Sequence, residues 1–145
     1  MASAIQNQMV KFFTGLHVFL YRTSGGKIWG SIGGNPVLML TTTGRKTGKP
    51  RTTPVMYIHK DNEYLITASA GGADQNPTWL SNLNSKPEAT IEMDGKKINV
   101  KAIITSGDER DKLYENFKAL SRNFIEYEKK TTRKIPVIRL QPITA

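Results

Sequence analysis

Apolar side chains recur along the chain with two different spacings, and these spacings predict its secondary structure. Residues 6–22 carry apolar side chains at helical intervals, which predicts an amphipathic helix. Shorter apolar or alternating runs bounded by turn residues predict strands over residues 37–43, 52–59, 63–70, 89–93, 96–105 and 135–140. Pro54 confines the second strand to a sheet edge or a bulge, because proline has no N–H to donate to a neighbouring strand.

Two turn signals organise the middle of the chain. Asp94-Gly95 lies between two strand patterns and predicts a tight hairpin. Asn76 followed by Pro77 is typical of a helix start, with asparagine as the N-cap and proline in the first turn. A short helix is therefore expected over residues 77–84.

A longer helix is predicted before the last strand. Ser106 and Glu109 have the spacing of a capping box, in which each side chain accepts a hydrogen bond from the other residue's backbone N–H. Apolar side chains then follow on one face at Leu113, Phe117 and Leu120, and the pattern continues less regularly through residue 127.

The order of these elements predicts the fold class. A helix, three strands, a short helix, two strands, a helix and a strand favour a mainly β, α+β fold. About six antiparallel strands would form a small barrel with peripheral helices. A chain of 145 residues suits one domain over residues 1–145, with residues 1–30 as an N-terminal amphipathic helix and loop. The N-terminus shows neither a cleavable signal pattern nor a bilayer-spanning stretch, so a cytoplasmic protein is expected.

Positive charge is concentrated in the N-terminal part of the chain. The net charge is +9, and eight cationic residues precede the first acidic residue, Asp61. The thirteen cationic residues after Lys60 are nearly balanced by twelve acidic ones. Such an excess favours an anionic partner, which could be a polyanionic cofactor, an acidic lipid surface or a nucleic acid. Residues 6–22 accordingly have two interpretations, packing on the domain or lying on the inner, anionic face of the plasma membrane.

The sequence GRKTGKPR at residues 44–51 combines two glycines with four cationic side chains. Glycines allow a ligand to approach the backbone, turn N–H groups can surround an anion, and guanidinium groups can bind two oxygens. The sequence therefore favours a phosphate or carboxylate ligand, although a solvated hairpin tip is an alternative. It is not a P-loop, since three residues separate its glycines and Pro50 follows Lys49.

Small residues followed by a helix start form a second candidate site. The sequence ASAGG at residues 68–72 precedes NPTWLSN at residues 76–82. Such an arrangement offers backbone donors and the positive end of a helix dipole to a flat polar ligand. The aromatic side chain of Trp79 would either stack on that ligand or fill the core.

The chain carries few reactive groups of its own. It has no cysteine, and its two histidines, His17 and His59, lack carboxylates at metal-ligand spacing, so no metal site is expected. No nucleophile elbow is recognisable either. An enzyme built from these residues would depend on a bound cofactor.

Three stretches at residues 38–58, 68–83 and 131–140 resemble the deazaflavin-dependent nitroreductase and quinone reductase family in sequence, order and spacing. They read LMLTTTGRKTGKPRTTPVMYI, ASAGGADQNPTWLSNL and TTRKIPVIRL. The resemblance implies a split β-barrel like that of flavin-mononucleotide-binding proteins, and it implies coenzyme F420, an 8-hydroxy-5-deazaflavin. The tail of this cofactor carries a phosphodiester and glutamates. Members of the family occur mainly in actinobacteria.

The same resemblance implies roles for individual residues. The cofactor tail would be held by Arg45, Lys46, Thr47, Lys49 and Arg51. The deazaflavin ring and its ribityl chain would contact Ala68, Ser69, Ala70, Thr78, Trp79, Leu80, Ser81 and Asn82. Ser69 and Tyr127 are the candidate catalytic hydrogen-bond donors. The acceptor would lie against Met56, Trp79, Phe124 and Tyr127.

The implied reaction is hydride transfer from reduced F420 to a quinone or a nitro compound. Relatives that reduce bulky nitroimidazoles have several tyrosines in the C-terminal helical segment, whereas matching positions here hold Ser121, Phe124 and Tyr127. This difference favours quinones. The alternatives are an F420-binding protein or carrier without catalysis, a basic nucleic-acid-binding domain, and flavin mononucleotide in place of the deazaflavin.

Overall fold

Strand residues outnumber helical ones in the computed structural model, which describes residues 31–32 and 35–143. The strands are β1 (Ser31–Ile32), β2 (Asn35–Thr43), β3 (Pro50–Met56), β4 (Ile58–Lys60), β5 (Glu63–Thr67), β6 (Glu88–Met93), β7 (Lys96–Ile104) and β8 (Val137–Pro142). The helices are α1 (Thr78–Ser85), α2 (Gly107–Leu120) and α3 (Asn123–Lys130). The predicted helix over residues 6–22 lies outside the described residues, so the assignment of residues 1–145 to one domain stays a prediction.

The strands form one antiparallel sheet in the order β1-β2-β6-β7-β8-β5-β4, and β3 pairs with β2. The described residues thus contain seven strands of three or more residues and the two-residue β1, against about six expected. The predicted strand over residues 52–59 is divided at Tyr57, where the chain leaves β2 and begins to pair with β5. Pro54 lies in β3, which pairs on one side with β2, so its predicted edge position is confirmed.

Two clusters of buried side chains lie on opposite faces of the sheet. Neighbouring residues of one strand point to opposite faces, so in β5 Ile66 joins one cluster and Leu65 the other. The inner cluster collects side chains from β2, β5, β6, β7 and β8 together with α1, which requires the sheet to curl. The outer cluster packs the sheet against α2 and α3 through Tyr114, Phe117 and Phe124.

The hairpin prediction is confirmed. Met93 pairs with Lys96, and Asp94 and Gly95 have φ angles of 50° and 73°. Two successive positive φ angles define the turn that matches the twist of two-residue hairpins.

Both predicted helices form and Ser106 is an N-cap as predicted, but neither predicted side-chain capping bond is present. Helix α1 begins at Thr78, Pro77 occupies the N-cap position, and the side chain of Asn76 instead accepts a hydrogen bond from Arg133 at 2.8 Å. Ser106 occupies the N-cap position of α2 without a side-chain capping bond, and Glu109 bonds Arg139 at 3.4 Å. In both cases an arginine far along the chain binds a side chain that was predicted to cap the helix, Asn76 or Glu109.

Two element ends also differ from the prediction. Strand β5 ends at Thr67 rather than at residue 70, because Ala70, Gly71 and Gly72 have φ angles of 48°, 65° and 84° that no strand can contain. The long helix is interrupted after Leu120, and α3 begins at Asn123.

Candidate functional site

The cationic hairpin, residues 44–51, is the turn between β2 and β3. The N–H of Gly44 donates to the carbonyl of Lys49 at 2.8 Å, and the N–H of Gly48 donates to the carbonyl of Gly44 at 2.8 Å. Gly48 has a φ angle of 71°, which glycine adopts without strain. All four cationic side chains are exposed, on Arg45, Lys46, Lys49 and Arg51. The turn therefore presents four positive charges to solvent on a well-bonded backbone.

Asn82 attaches this hairpin to α1. Its side-chain carbonyl accepts a hydrogen bond from the N–H of Arg45 at 2.9 Å, and its amide donates to the hydroxyl of Thr42 at 3.1 Å. The side chain of Asn82 is 3% exposed, so the predicted cofactor contact is in this structure an internal bridge. Thr47 has a similar local role, since its hydroxyl accepts a bond from the N–H of Lys49 at 3.2 Å.

The small-residue turn, residues 68–72, lies between β5 and α1 in the chain. Its backbone is closed by a bond of 2.9 Å from the N–H of Gly72 to the carbonyl of Ser69. Ala68 is buried, Ser69 is half-buried, and Ala70 and Gly71 are exposed. The exposed backbone of this turn and the half-buried serine are accessible to a ligand.

Gly72 brings the small-residue turn against α3. A Cβ atom at this position would lie 3.1 Å from the Cα of Tyr127 and 3.1 Å from the Cβ of Lys130. The absence of a side chain thus permits contact between the two backbones. Ser69 and Tyr127, the two predicted catalytic donors, consequently belong to adjoining elements.

Arg133 is a residue that the sequence interpretation missed. Its guanidinium group donates four hydrogen bonds of 2.8 to 3.0 Å to the carbonyls of Ala68, Ser69 and Ala73 and the side-chain carbonyl of Asn76. Burial lowers the pKa of this guanidinium. Arg133 lies within residues 131–140, one of the stretches that resemble the family, and this resemblance was the only sequence feature that marked it. Its neighbours in the sequence did not indicate that it would bind residues 68–76.

The predicted acceptor-side residues fall into two groups. Met56 and Tyr127 are half-buried and pack on the outer cluster, which contains Phe124. The rings of Phe124 and Tyr127 meet edge to face, with centroids 5.5 Å apart. Phe124 is 1% exposed, so it supports Tyr127 from behind rather than offering a surface. Trp79 belongs to the inner cluster and is 8% exposed.

The other residues of α1 that were predicted to contact the deazaflavin ring differ in exposure. Leu80 is buried in the inner cluster, whereas Thr78 is exposed and Ser81 is half-buried. Both hydroxyl groups are thus at least partly accessible on the surface of the helix. They can donate to or accept from the polar edge of a ligand.

One sizeable groove lies away from this site. A groove of about 640 Å³ near β4 and β8 contains Glu63, whose carboxylate is bonded to Arg139 at 2.8 and 3.0 Å. Both oxygens of this carboxylate therefore already accept hydrogen bonds from Arg139. A smaller groove of about 460 Å³ adjoins the cationic hairpin and includes Thr43, Pro50 and Lys86. Its lining holds one cation, Lys86, and one carboxylate, Glu88, so the cations of the adjoining hairpin, rather than the groove itself, suit an anionic ligand.

Two kinds of feature are absent from the part of the chain that the structure describes. No three histidine, aspartate or glutamate side chains in residues 31–32 and 35–143 come together as a metal site. No helix within these same ranges has both the length and the apolar character needed to cross a membrane.

Together, the curled sheet, the exposed cations of the hairpin and the accessible small-residue turn have the chemistry expected of a protein that binds a cofactor with an anionic tail. The donor set fits such a group, because the cationic hairpin exposes four cations, while the small-residue turn and α1 offer accessible backbone and hydroxyl groups. Residues 14–142 match the family model of F420H(2)-dependent quinone reductases, and the chain belongs to this family. It is therefore an F420-dependent oxidoreductase, as the sequence resemblance implied.

Known relatives agree with this assignment. A Mycobacterium tuberculosis protein named F420H(2)-dependent quinone reductase is 36% identical over 129 residues, which are 86% of this chain and 87% of the relative. A solved F420-H2 dependent reductase is 31% identical with a TM-score of 0.68, covering 73% of this chain and 94% of that one. A FAD-binding protein from Mesorhizobium loti, 12% identical with a TM-score of 0.53, covers 77% of this chain and 83% of that one. This last likeness shows the split-barrel fold alone and confirms the predicted fold class.

Proposed function

We propose that this protein reduces quinones by two-electron transfer from reduced coenzyme F420. The observation that carries the proposal is the Asn82 bridge, which joins the cationic hairpin to the helix that bears Thr78 and Ser81. A tail site and a head site are thereby held at a constant separation. When bound, the cofactor supplies a hydride at the deazaflavin ring, and the protein supplies position and hydrogen bonds.

The cationic hairpin would hold the cofactor tail. Four exposed cations on one turn can neutralise a phosphodiester and several carboxylates, and the two arginines can each bind two oxygens. Thr47 and Asn82 would act indirectly, because their side chains already bond the backbone of the hairpin. The tail takes no part in hydride transfer, so the hairpin should control affinity rather than the rate of the chemical step.

Ser69 and Tyr127 would serve the acceptor. Both side chains are half-buried, and Gly72 brings their two elements into contact. A hydroxyl donor aimed at the oxygen that becomes negative stabilises the transition state more than the ground state. Met56 and Tyr127 would form the wall against which the acceptor lies, and Phe124 would support the ring of Tyr127.

Quinones are the proposed acceptor class, with nitro compounds secondary. Ser121 is the C-cap of α2 and Phe124 is buried, and neither side chain carries the phenol hydroxyl that relatives reducing nitroimidazoles have. A flat quinone needs one or two donors at its oxygens, which Ser69 and Tyr127 provide. Contact with an anionic membrane surface stays a prediction, because it depends on residues 6–22, outside the described part.

The test is a turnover assay with purified protein. Oxidation of reduced F420 should be rapid with menadione and slow with a nitroimidazole, and oxidised F420 should bind more tightly than flavin mononucleotide. Tight F420 binding without turnover on a broad quinone panel would point to a carrier. Nucleic-acid binding that is strongly salt-dependent and unaffected by F420 would contradict both interpretations.

A further inference from the structure

Arg133 holds the small-residue turn and the start of α1 as one unit. Its Nη2 donates to the carbonyls of Ala68 at 3.0 Å and Ser69 at 2.9 Å, and its Nε donates to the carbonyl of Ala73 at 2.8 Å. Its Nη1 donates to the side-chain carbonyl of Asn76 at 2.8 Å. A single rigid fork therefore spans the entire segment of residues 68–76.

The partners of Arg133 are all neutral carbonyl groups. A partly buried guanidinium loses hydration, and four hydrogen bonds offset much of that cost. Because carbonyl partners carry no net charge, the positive charge of Arg133 is not cancelled by them. It lies beside the backbone of Ser69, where the carboxylate of Asp74 in the same segment offsets part of it electrostatically.

We propose that Arg133 is a positioning residue for the hydride-transfer step, acting by fixing the small-residue turn so that Ser69 points towards the reacting groups. The proposal rests on the proposed function above. Planar geometry is essential to it, since only a guanidinium presents donors on three nitrogens in fixed directions. Lysine at this position keeps the charge but cannot bond both Ala73 and Asn76 while retaining Ala68 and Ser69.

The experiment compares Arg133→Lys and Arg133→Gln with wild type and with Arg139→Gln as a control. Arg139 also lies near the C-terminus and is half-buried, but it pairs with Glu63 away from the turn. Three readouts are measured: amide hydrogen exchange without cofactor, the turnover number of quinone reduction with F420 at saturation, and the dissociation constant of F420. The amide exchange rates report on the small-residue turn itself, and they can be measured whether or not the protein reduces quinones.

Both Arg133 variants should exchange the amides of Gly72 and Ala73 about tenfold or more faster, while those of Gly44 and Gly48 in the cationic hairpin stay as in wild type. The turnover number should fall about 10- to 100-fold, since a misplacement of about 1 Å can cost 100-fold. The dissociation constant of F420 should change less than about threefold, because the tail site is intact. Arg139→Gln should match wild type in all three measurements.

Several outcomes would overturn the inference. Unchanged exchange at Gly72 and Ala73, or full turnover in Arg133→Lys, would show that the fork is unnecessary. Loss of the folded state in both variants would make Arg133 a folding residue instead. If wild type itself reduced no quinone, the proposed function would fail, and the exchange data would still decide whether Arg133 fixes the turn.

Discussion

Gly72 shows how one missing side chain can determine which elements meet. The neighbouring Gly71 also has a positive φ angle, of 65°, but a Cβ atom there would have no neighbour within 4 Å. At Gly72 the same atom would meet the backbone of Tyr127 at 3.1 Å, with a φ angle of 84°. A side chain at Gly71 would therefore add only backbone strain, whereas a side chain at Gly72 would add both strain and steric overlap.

Replacing each glycine by alanine tests this distinction. Gly71→Ala should lower the free energy of unfolding by about 1 kcal/mol, the usual cost of a left-handed conformation. Gly72→Ala should lower it by roughly 2 to 4 kcal/mol, because steric overlap with α3 adds to that strain. Urea titration of both variants measures the difference. Equal losses would mean that α3 moves away without cost.

At the scale of elements, α3 is attached to α2 by a buried phenol. The hydroxyl of Tyr114 donates to the carbonyl of Phe124 at 2.6 Å, and the guanidinium of Arg110 lies 4.3 Å from the centroid of the Tyr114 ring. Burial is the main reason why the pKa of Tyr114 rises from 10.0 to about 12. This contact supports the helix that carries Tyr127.

The raised pKa predicts alkaline destabilisation. Above pH 10 the unfolded chain loses the phenol proton while the folded protein retains it, so the free energy of unfolding should fall up to about pH 12. Tyr114→Phe should show a shallower fall over this range, although at pH 7 it should be roughly 1 to 3 kcal/mol less stable because the Phe124 carbonyl loses its donor. Denaturant titrations at several pH values provide the comparison. Parallel curves for the two proteins would contradict the assigned role of Tyr114.

Predictability from sequence also differs between elements. The Asp94-Gly95 hairpin depends on its own two residues and was predictable, as were the strands that pair around it. The capping side chains were not, because Asn76 bonds Arg133 and Glu109 bonds Arg139 across long stretches of chain. In the site, clustered charge revealed the cationic hairpin. The bridging roles of Asn82 and Arg133 depend on tertiary contacts that no local pattern encodes.

At the scale of the whole molecule, the cations of the cationic hairpin can be compared with exposed cations elsewhere on the surface. Lys46 and Arg51 are exposed on the cationic hairpin, whereas Lys112 and Lys129 are exposed on the helices. Removal of either pair lowers the net charge equally. Local binding of an anionic tail and long-range attraction can therefore be distinguished.

Lys46→Ala combined with Arg51→Ala should raise the dissociation constant of F420 about 10- to 100-fold, since charged hydrogen bonds contribute about 1.5 to 3 kcal/mol each before solvent screening reduces them. The turnover number at saturating cofactor should stay near that of wild type. Lys112→Ala combined with Lys129→Ala is the matched control and should change the dissociation constant less than about twofold. Equal weakening by both pairs would indicate a general electrostatic effect. Fluorescence titration of F420 at two salt concentrations gives these values.

Helix α1 is anchored twice, by Arg133 through Asn76 just before its first turn and by Asn82 within it. Asn82 is the fifth residue of α1, so at 1.5 Å per residue it lies about 6 Å along the helix axis from Thr78. Because this spacing is fixed, under the proposed function the two halves of the site would select molecules by the distance between their flat head and their negative charges. A compound whose charges lie too close to its head would reach one anchored half of the site, but not both together.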